Sequence, residues 1–262
     1  MKLQRQIRSA VILTSLVLAW PTSGRAQVLE TETARFLHRG AVEFGTGFEL
    51  QTSTEGTERA VPLAAEIGLS NRLALLLEPV VYTSIRPKNG PRATGRGDAE
   101  VTALGLLRSE GDRAPAMALA LEVKVPTTKN TLIGTGKTDV AGFLIGSKHL
   151  GRLDVHANIG YTVLGKPAGV QLSNIWSGAI AGEYPLKGIL SAYGEVLANT
   201  SSTSEAVDTG TTTGVAPEIV GGEVSGTIGL GVRPAHSLLF SLGLSVDNKN
   251  AFLIRPGVTF WH

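Results

Sequence analysis

Val42-Glu43-Phe44-Gly45-Thr46-Gly47-Phe48-Glu49-Leu50 alternates with a period of two. Val42, Phe44, Phe48 and Leu50 fall on one face of an extended chain, and Glu43, Gly45, Gly47 and Glu49 on the other. A helix would scatter both sets around its circumference, so the pattern predicts a strand. The sorting recurs along the chain. Val61, Leu63, Ala65, Ile67 and Leu69 oppose Glu66 and Gly68, and Met117, Leu119, Leu121, Val123 and Val125 oppose Glu122 and Lys124. Val155, Ala157, Ile159, Tyr161 and Val163 oppose Asp154, His156, Asn158 and Thr162. Leu238, Phe240, Leu242, Leu244 and Val246 oppose Ser241, Gly243 and Ser245.

Twelve such segments are expected, at 41–50, 60–69, 72–84, 97–108, 114–125, 138–149, 153–163, 172–184, 188–199, 218–232, 237–246 and 251–260. Their connections alternate in length. Ser70-Asn71, Glu110-Gly111-Asp112, Gly151, Pro185-Leu186-Lys187 and Pro234-Ala235 mark tight turns, whereas 86–96 and 200–214 are long, polar and glycine-rich. An even number of strands with long loops on one side and tight turns on the other predicts an all-β fold. The expected form is a transmembrane, up-and-down antiparallel β-barrel of about 12 strands. Both termini then lie on the tight-turn, periplasmic side. A soluble β-sandwich also alternates, but it keeps polar residues outside and does not sort its loops by side.

Three features resist this reading. Pro62, Pro79 and Pro256 fall inside expected strands, where each removes a ladder donor. The segment 138–149 does not sort, because Phe143, Leu144 and Ile145 are consecutive. The aromatic girdles are thin, with Phe44, Phe48, Tyr161, Phe240, Phe252 and Phe260 as contributors.

Residues 1–26 read as an export signal. Lys2, Arg5 and Arg8 precede the apolar run 9–20, Pro21 breaks it, and Gly24 and Ala26 place small residues before a cleavage point after Ala26. The formal charge of +2 belongs to this leader, which holds four basic residues and no acid; without it the chain carries about −2. That balance argues against nucleic acid as a partner. The absence of cysteine excludes disulfide scaffolds, thiolate metal sites and cysteine nucleophiles. The expected organisation is a signal peptide (1–26), a lead-in or plug (27–40) and an outer-membrane barrel (41–262). The residues of the lead-in, QVLETETARFLHRG, alternate poorly.

Backbone groups in lipid must all be paired, so the sheet has to close. The lipid-facing set must be apolar, which turns Glu43, Glu49, Glu66, Glu100, Glu122, Asp154, Glu195 and Glu223 toward the lumen. Lys124, His156 and Arg255 share that side, and Glu78 and Glu183 join them on less regular strands. Some of these acids should pair with Lys124 or Arg255. The small residues Gly45, Gly47, Gly68, Ala118, Ala120, Gly229, Gly231 and Gly243 leave room for a narrow path or relieve crowding at bends. The expected solute path is therefore Glu43, Glu49, Glu66, Glu78, Glu100, Glu122, Lys124, His156, Glu195, Glu223 and Arg255.

A search for chemistry returns no catalytic set. His38, His149, His156, His236 and His262 are available, but a hydrolase needs a nucleophile within reach of an oriented base. His236-Ser237 belongs to a turn, and no nucleophile is compelled to meet His156 and Asn158. Gly134-Thr135-Gly136-Lys137-Thr138 suggests a phosphate loop but lacks the earlier glycine and precedes a strand. The chain is thus expected to be a non-enzyme with no cofactor and no metal. Membrane lipid and a small solute are its expected partners. Phe252, Ile254, Pro256, Val258 and Phe260 alternate into an aromatic, resembling the terminal strand that the outer-membrane assembly machinery recognises.

Several stretches together carry a family resemblance. They are Gly68-Leu69-Ser70-Asn71-Arg72-Leu73, Gly97-Asp98-Ala99-Glu100 and Lys124-Val125-Pro126-Thr127, then 134–140, Gly182-Glu183-Tyr184-Pro185-Leu186 and Gly194-Glu195-Val196. In this order, over most of 41–260, the chain resembles the outer-membrane transporters grouped under the meta-pathway of phenol degradation. The resemblance implies an outer-membrane barrel that passes aromatic or other hydrophobic compounds. Thr128 stands where that family usually has glycine. The leading expectation is a passive channel for small solutes. The alternatives are a structural or adhesive barrel acting through its outer loops, chiefly 200–214, and a lipid-modifying barrel.

Overall fold

A computed structural model of the chain describes residues 29–202 and 222–262; the expected signal peptide and most of the loop 200–214 lie outside the described residues. Among the described residues there are fourteen strands and no helix. In chain order they are β1 (Val42–Gly47), β2 (Glu49–Thr52), β3 (Gly56–Ser70), β4 (Leu73–Pro87), β5 (Ala93–Gly95), β6 (Ala99–Arg108) and β7 (Ala116–Val125). They continue as β8 (Asp139–Leu150), β9 (Leu153–Val163), β10 (Ile175–Pro185), β11 (Leu190–Asn199), β12 (Glu223–Ala235), β13 (Leu238–Asp247) and β14 (Phe252–Trp261).

Sequential antiparallel pairing runs from β3 through β4, β6 and on to β14, and β1 closes the circle by pairing with both β14 and β3. β1 and β2 are two halves of one strand in a single register, since Gly47 faces Gly257 and Leu50 faces Ile254. The interruption at Phe48 lies opposite Pro256, which has no N–H to return; Phe48 N–H still donates to the Pro256 carbonyl at 3.0 Å. β5 is a short strip hydrogen-bonded to the outer end of β4. The barrel therefore has twelve staves.

The other two prolines are absorbed by irregularity. Pro79 ends the β4–β6 ladder opposite Ala99, and the β3–β4 register shifts between Val61 and Pro62. β4 runs through Pro79 without ending there. The first outer connection is shorter than the spacing suggests: β2 and β3 extend until only residues 53–55 join them. Their upper rungs are polar, with Gln51 opposite Glu58 and Thr52 opposite Thr57, as expected where strands project beyond hydrocarbon.

The outward residues are apolar and exposed, including Phe44, Leu121, Ile180, Val196, Ile228 and Val246. The segment 138–149 fails to alternate for a physical reason. Leu144 faces out, while Phe143 and Ile145 face in and join an interior apolar cluster. Its members include Ala74, Leu76, Leu104, Ala116, Ala118 and Ala120, together with Ala34 and Phe36 from ahead of the first strand.

Candidate functional site: the barrel interior and the segment across it

The stretch from Leu29 to Leu37 crosses the interior. Leu29 packs against Tyr193 and Leu239, with Trp261 beside them. The Glu195 carboxylate, on β11, accepts from the Glu30 N–H at 3.0 Å, the Thr31 N–H at 2.6 Å and the Thr31 hydroxyl. The Glu30 carboxylate meets Arg255 at 2.7 Å. On the opposite wall the Ala34 N–H donates to the Ser147 hydroxyl at 2.8 Å, and Thr33 Oγ1 lies 3.2 Å from the same oxygen. Arg35 then forks onto both Asp154 oxygens at 2.8 and 2.6 Å and reaches Glu110 at 2.8 Å. A bidentate guanidinium–carboxylate pair is among the stronger polar contacts available to a protein.

The segment leaves the interior past Gly68, whose N–H donates to Ala41 O and whose carbonyl accepts from Gly40 N–H. A Cβ on Gly68 would stand 2.2 Å from the His38 carbonyl oxygen, so glycine is required for this approach. Ala118 and Ala120, expected to leave a narrow path or to relieve crowding, are buried in the same cluster as Ala34 of the segment. Gly231 likewise lies under a ring, since an added Cβ would come within 2.3 Å of the Tyr193 hydroxyl. The small residues thus make space that other parts of the chain fill.

The residues expected on the lumenal face occupy several distinct settings. Glu43 and Glu66 are cross-strand partners on β1 and β3, both buried. Glu78, Glu100, Lys124 and Asp139 are successive cross-strand partners on β4, β6, β7 and β8. Lys124 pairs with Asp139 and lies 3.9 Å from Asp98. Glu122 stands opposite Thr102, two residues from Lys124. Glu49 pairs with Arg255 at 2.8 Å across β2 and β14. Glu195 holds the crossing segment, and Glu223 lies at the outer end of β12, its N–H bonded to Asn199. These groups do not converge on one point; they line different heights and sides of the same interior.

His156 sits within 2.9 Å of Ser147 Oγ and 3.7 Å of Asp154. The order Ser, His, Asp has the outline of a hydrolytic triad, but its members are otherwise engaged. Ser147 is 1% exposed and accepts the Ala34 N–H, and Asp154 is gripped by Arg35. The triad logic requires an accessible nucleophile and a carboxylate bonded to the imidazole. Here Ser147 and Asp154 hold the crossing segment, and His156 bonds the same Ser147 hydroxyl.

Sequence reasoning missed Arg35, Glu110, Ser147, Asp98 and Asp139 as members of these networks. Arg35 was readable as the single cation within residues 27–38 of a chain expected to have an acidic interior, but its partners lie 75 and 119 residues away. The Glu110 carboxyl, in the turn between β6 and β7, is held well below the ordinary carboxylate range. Burial opposes its charge, and the His149 N–H with the Arg35, Lys148 and His149 side chains overcomes that cost.

At the outer rim the Gly97-Asp98 and Pro126-Thr127 stretches meet. Asp98 accepts the Thr128 N–H at 3.0 Å, the Thr127 hydroxyl donates to Gly97 O, and Asp139 accepts the Gly165 N–H at 2.7 Å. Three outer connections are thereby tied to the wall around Lys124.

No protein-family model matches the chain, and none of the curated proteins does. Solved structures do. An outer membrane channel from Pseudomonas putida F1 superposes with a TM-score of 0.66 at 14% identity, over 89% of this chain and 100% of that one. The NanC porin gives 0.57 at 10% identity, over 83% and 98%. The KdgM porin in complex with disordered oligogalacturonate gives 0.54 at 9% identity, over 83% and 98%. The twelve-stave closed barrel is therefore an outer-membrane fold.

Proposed function

We propose that the chain is an outer-membrane channel for passive passage of small solutes, held closed by its own N-terminal segment. The observation that carries this is the way residues 30–35 are held. Each hydrogen bond given above from that stretch to the wall ends on a wall side chain, not on a ladder. The segment can leave the interior without breaking the sheet, and only strand pairing in the wall is indispensable in lipid. Superposition on one channel and two porins supports the same reading.

The exposed space would be mixed in character, with apolar Leu76, Leu104, Phe143 and Ile145 beside an acid-rich wall. Such an interior suits small hydrophobic or aromatic solutes with a polar end, in keeping with the resemblance to transporters of the phenol meta-pathway. Export through the periplasm after cleavage near Ala26 and delivery by the assembly machinery complete the proposal.

Planar-bilayer recordings test it. The intact chain should give small or infrequent conductance steps, and a chain lacking residues 29–38 should give larger, persistent ones. If the shortened protein inserts, shows heat-modifiable migration and remains silent, the channel reading fails.

A further inference from the structure

The outer wall carries a groove that the channel reading does not use. Leu73, Gly105, Leu119, Leu144 and Ile159 form one continuous cross-strand row on the lipid-facing side, from β4 to β9. The next row is Ala103, Leu121, Gly142, Tyr161 and Trp176, from β6 to β10. Ala103, Gly105 and Gly142 interrupt the large side chains and leave a recess of about 620 Å³. With strands about 4.8 Å apart, five strand-to-strand steps span roughly 24 Å. Because barrel strands tilt, such a row climbs obliquely across the membrane. The two rows together rise from Leu73 at the tight-turn rim to Trp176 at the outer rim.

The upper end of this groove differs from its lower end. Tyr161 and Trp176 lie with ring centroids 4.7 Å apart, and the Asn174 amide donates to the Tyr161 hydroxyl at 2.8 Å. Aromatics with a wet polar end mark the headgroup level. Lys137, two residues ahead of β8, and Lys166, three residues beyond β9, lie in the outer connections at this end, both exposed. Their two connections meet, since a Cβ on Gly165, beside Lys166, would come 2.7 Å from Lys137 Cβ. The nearby Asp139 does not neutralise them, because it is buried against Lys124 and the Gly165 N–H.

An apolar trough, an aromatic step and two cations in ascending order match a lipid with an acyl chain and phosphate on its headgroup. We propose that this face binds one phosphorylated, acylated glycolipid of the outer leaflet, with an acyl chain along Gly105 and Gly142 and phosphate at Lys137 and Lys166. The inference rests on the barrel's placement in the outer membrane but not on its conducting solutes. Lysines at a membrane surface each contribute to anion affinity, and a second phosphate gives each lysine a partner.

Native mass spectrometry of the detergent-purified chain tests this with three probes. They are a diphosphorylated acyl-disaccharide lipid, its dephosphorylated form, and phosphatidylglycerol. The wild type should retain the first most strongly. Replacing both lysines (K137Q with K166Q) should lower its retention by roughly thirtyfold. G142L should lower retention of both disaccharide lipids by filling the trough; a Cβ there meets nothing within 4 Å, so the wall tolerates it. Heat-modifiable migration checks that each variant is folded, and A103L replaces G142L if the latter is not. Equal retention by wild type and folded variants overturns the proposal, as does equal retention of phosphatidylglycerol or of the dephosphorylated lipid. Conductance of the same preparations is read separately, so a silent channel that still binds the lipid refutes only the channel reading.

Discussion

Gly68 shows how much of the interior arrangement rests on single side chains. Its lack of a Cβ admits the His38 carbonyl, and Gly68→Ala would force atoms 2.2 Å apart. Relief requires the segment to move, at a cost of about 1–3 kcal/mol for such overpacking. Bilayer recordings of G68A should show more open time than wild type, and an unchanged record would mean that the segment yields locally. Glu110 carries a pH consequence. A carboxyl whose pKa is lowered on folding contributes stability above its unfolded value, about 4.3, and loses it as the pH falls through the folded value. The Glu110 contribution to holding Arg35 is therefore complete at neutral pH and disappears in strong acid. In E110Q, open probability at pH 7 should rise by no more than about fivefold, since the pair is partly solvated, and its further rise in acid should be smaller than wild type's. Identical acid responses would remove Glu110 from the latch. Residues of this kind were hidden in the sequence because their partners are remote. Glu110 reads as a turn acid, and only the fold brings Arg35, Lys148 and His149 to it.

At the scale of elements, the strands were legible wherever hydrocarbon on one side and water or polar groups on the other forced alternation. β9 and β13 are such strands. The signal failed in two informative places. In β8 the inward Phe143 and Ile145 face an apolar cluster, so both sides of the strand are apolar and the period vanishes. At the end of β2 and the start of β3, where Gln51 and Thr52 face Glu58 and Thr57, both sides are polar, and strand resembled loop. The crossing segment gave no periodic signal, because its contacts are made one side chain at a time. That arrangement can be locked. The chain has no cysteine, and the Thr33 and Ser147 hydroxyl oxygens lie 3.2 Å apart. Cysteines at both positions place two sulfurs in the range where a disulfide, with Cβ atoms about 3.5–4.5 Å apart, can form. The oxidised T33C/S147C double variant should be silent in bilayers, and a reductant should restore the wild-type record. If oxidised and reduced forms conduct alike, the segment does not control passage.

Across the staves of the described barrel the charge is radially sorted, with an apolar skin and acids inside. Lys124, Arg255 and Arg35 each meet one or more carboxylates there, and Glu43, Glu66, Glu78, Glu100 and Glu122 line the same interior. Low-dielectric walls focus such a field and raise the local concentration of counter-ions. A path opened through this interior should therefore prefer cations. The preference should show in the reversal potential across a salt gradient, measured with the chain lacking residues 29–38. Replacing Glu49 and Glu122 with Gln removes two acidic groups from the wall, and the loss of Glu49 also leaves Arg255 with one acid fewer. Both effects weaken cation preference in the same direction. The distinction should fade at 1 M salt, where the Debye length falls to about 3 Å and the wall is screened from the permeating ion. An unaltered reversal potential in the double variant at low salt would mean that ions pass where these carboxylates do not reach, and that the acids serve the packing of the interior instead.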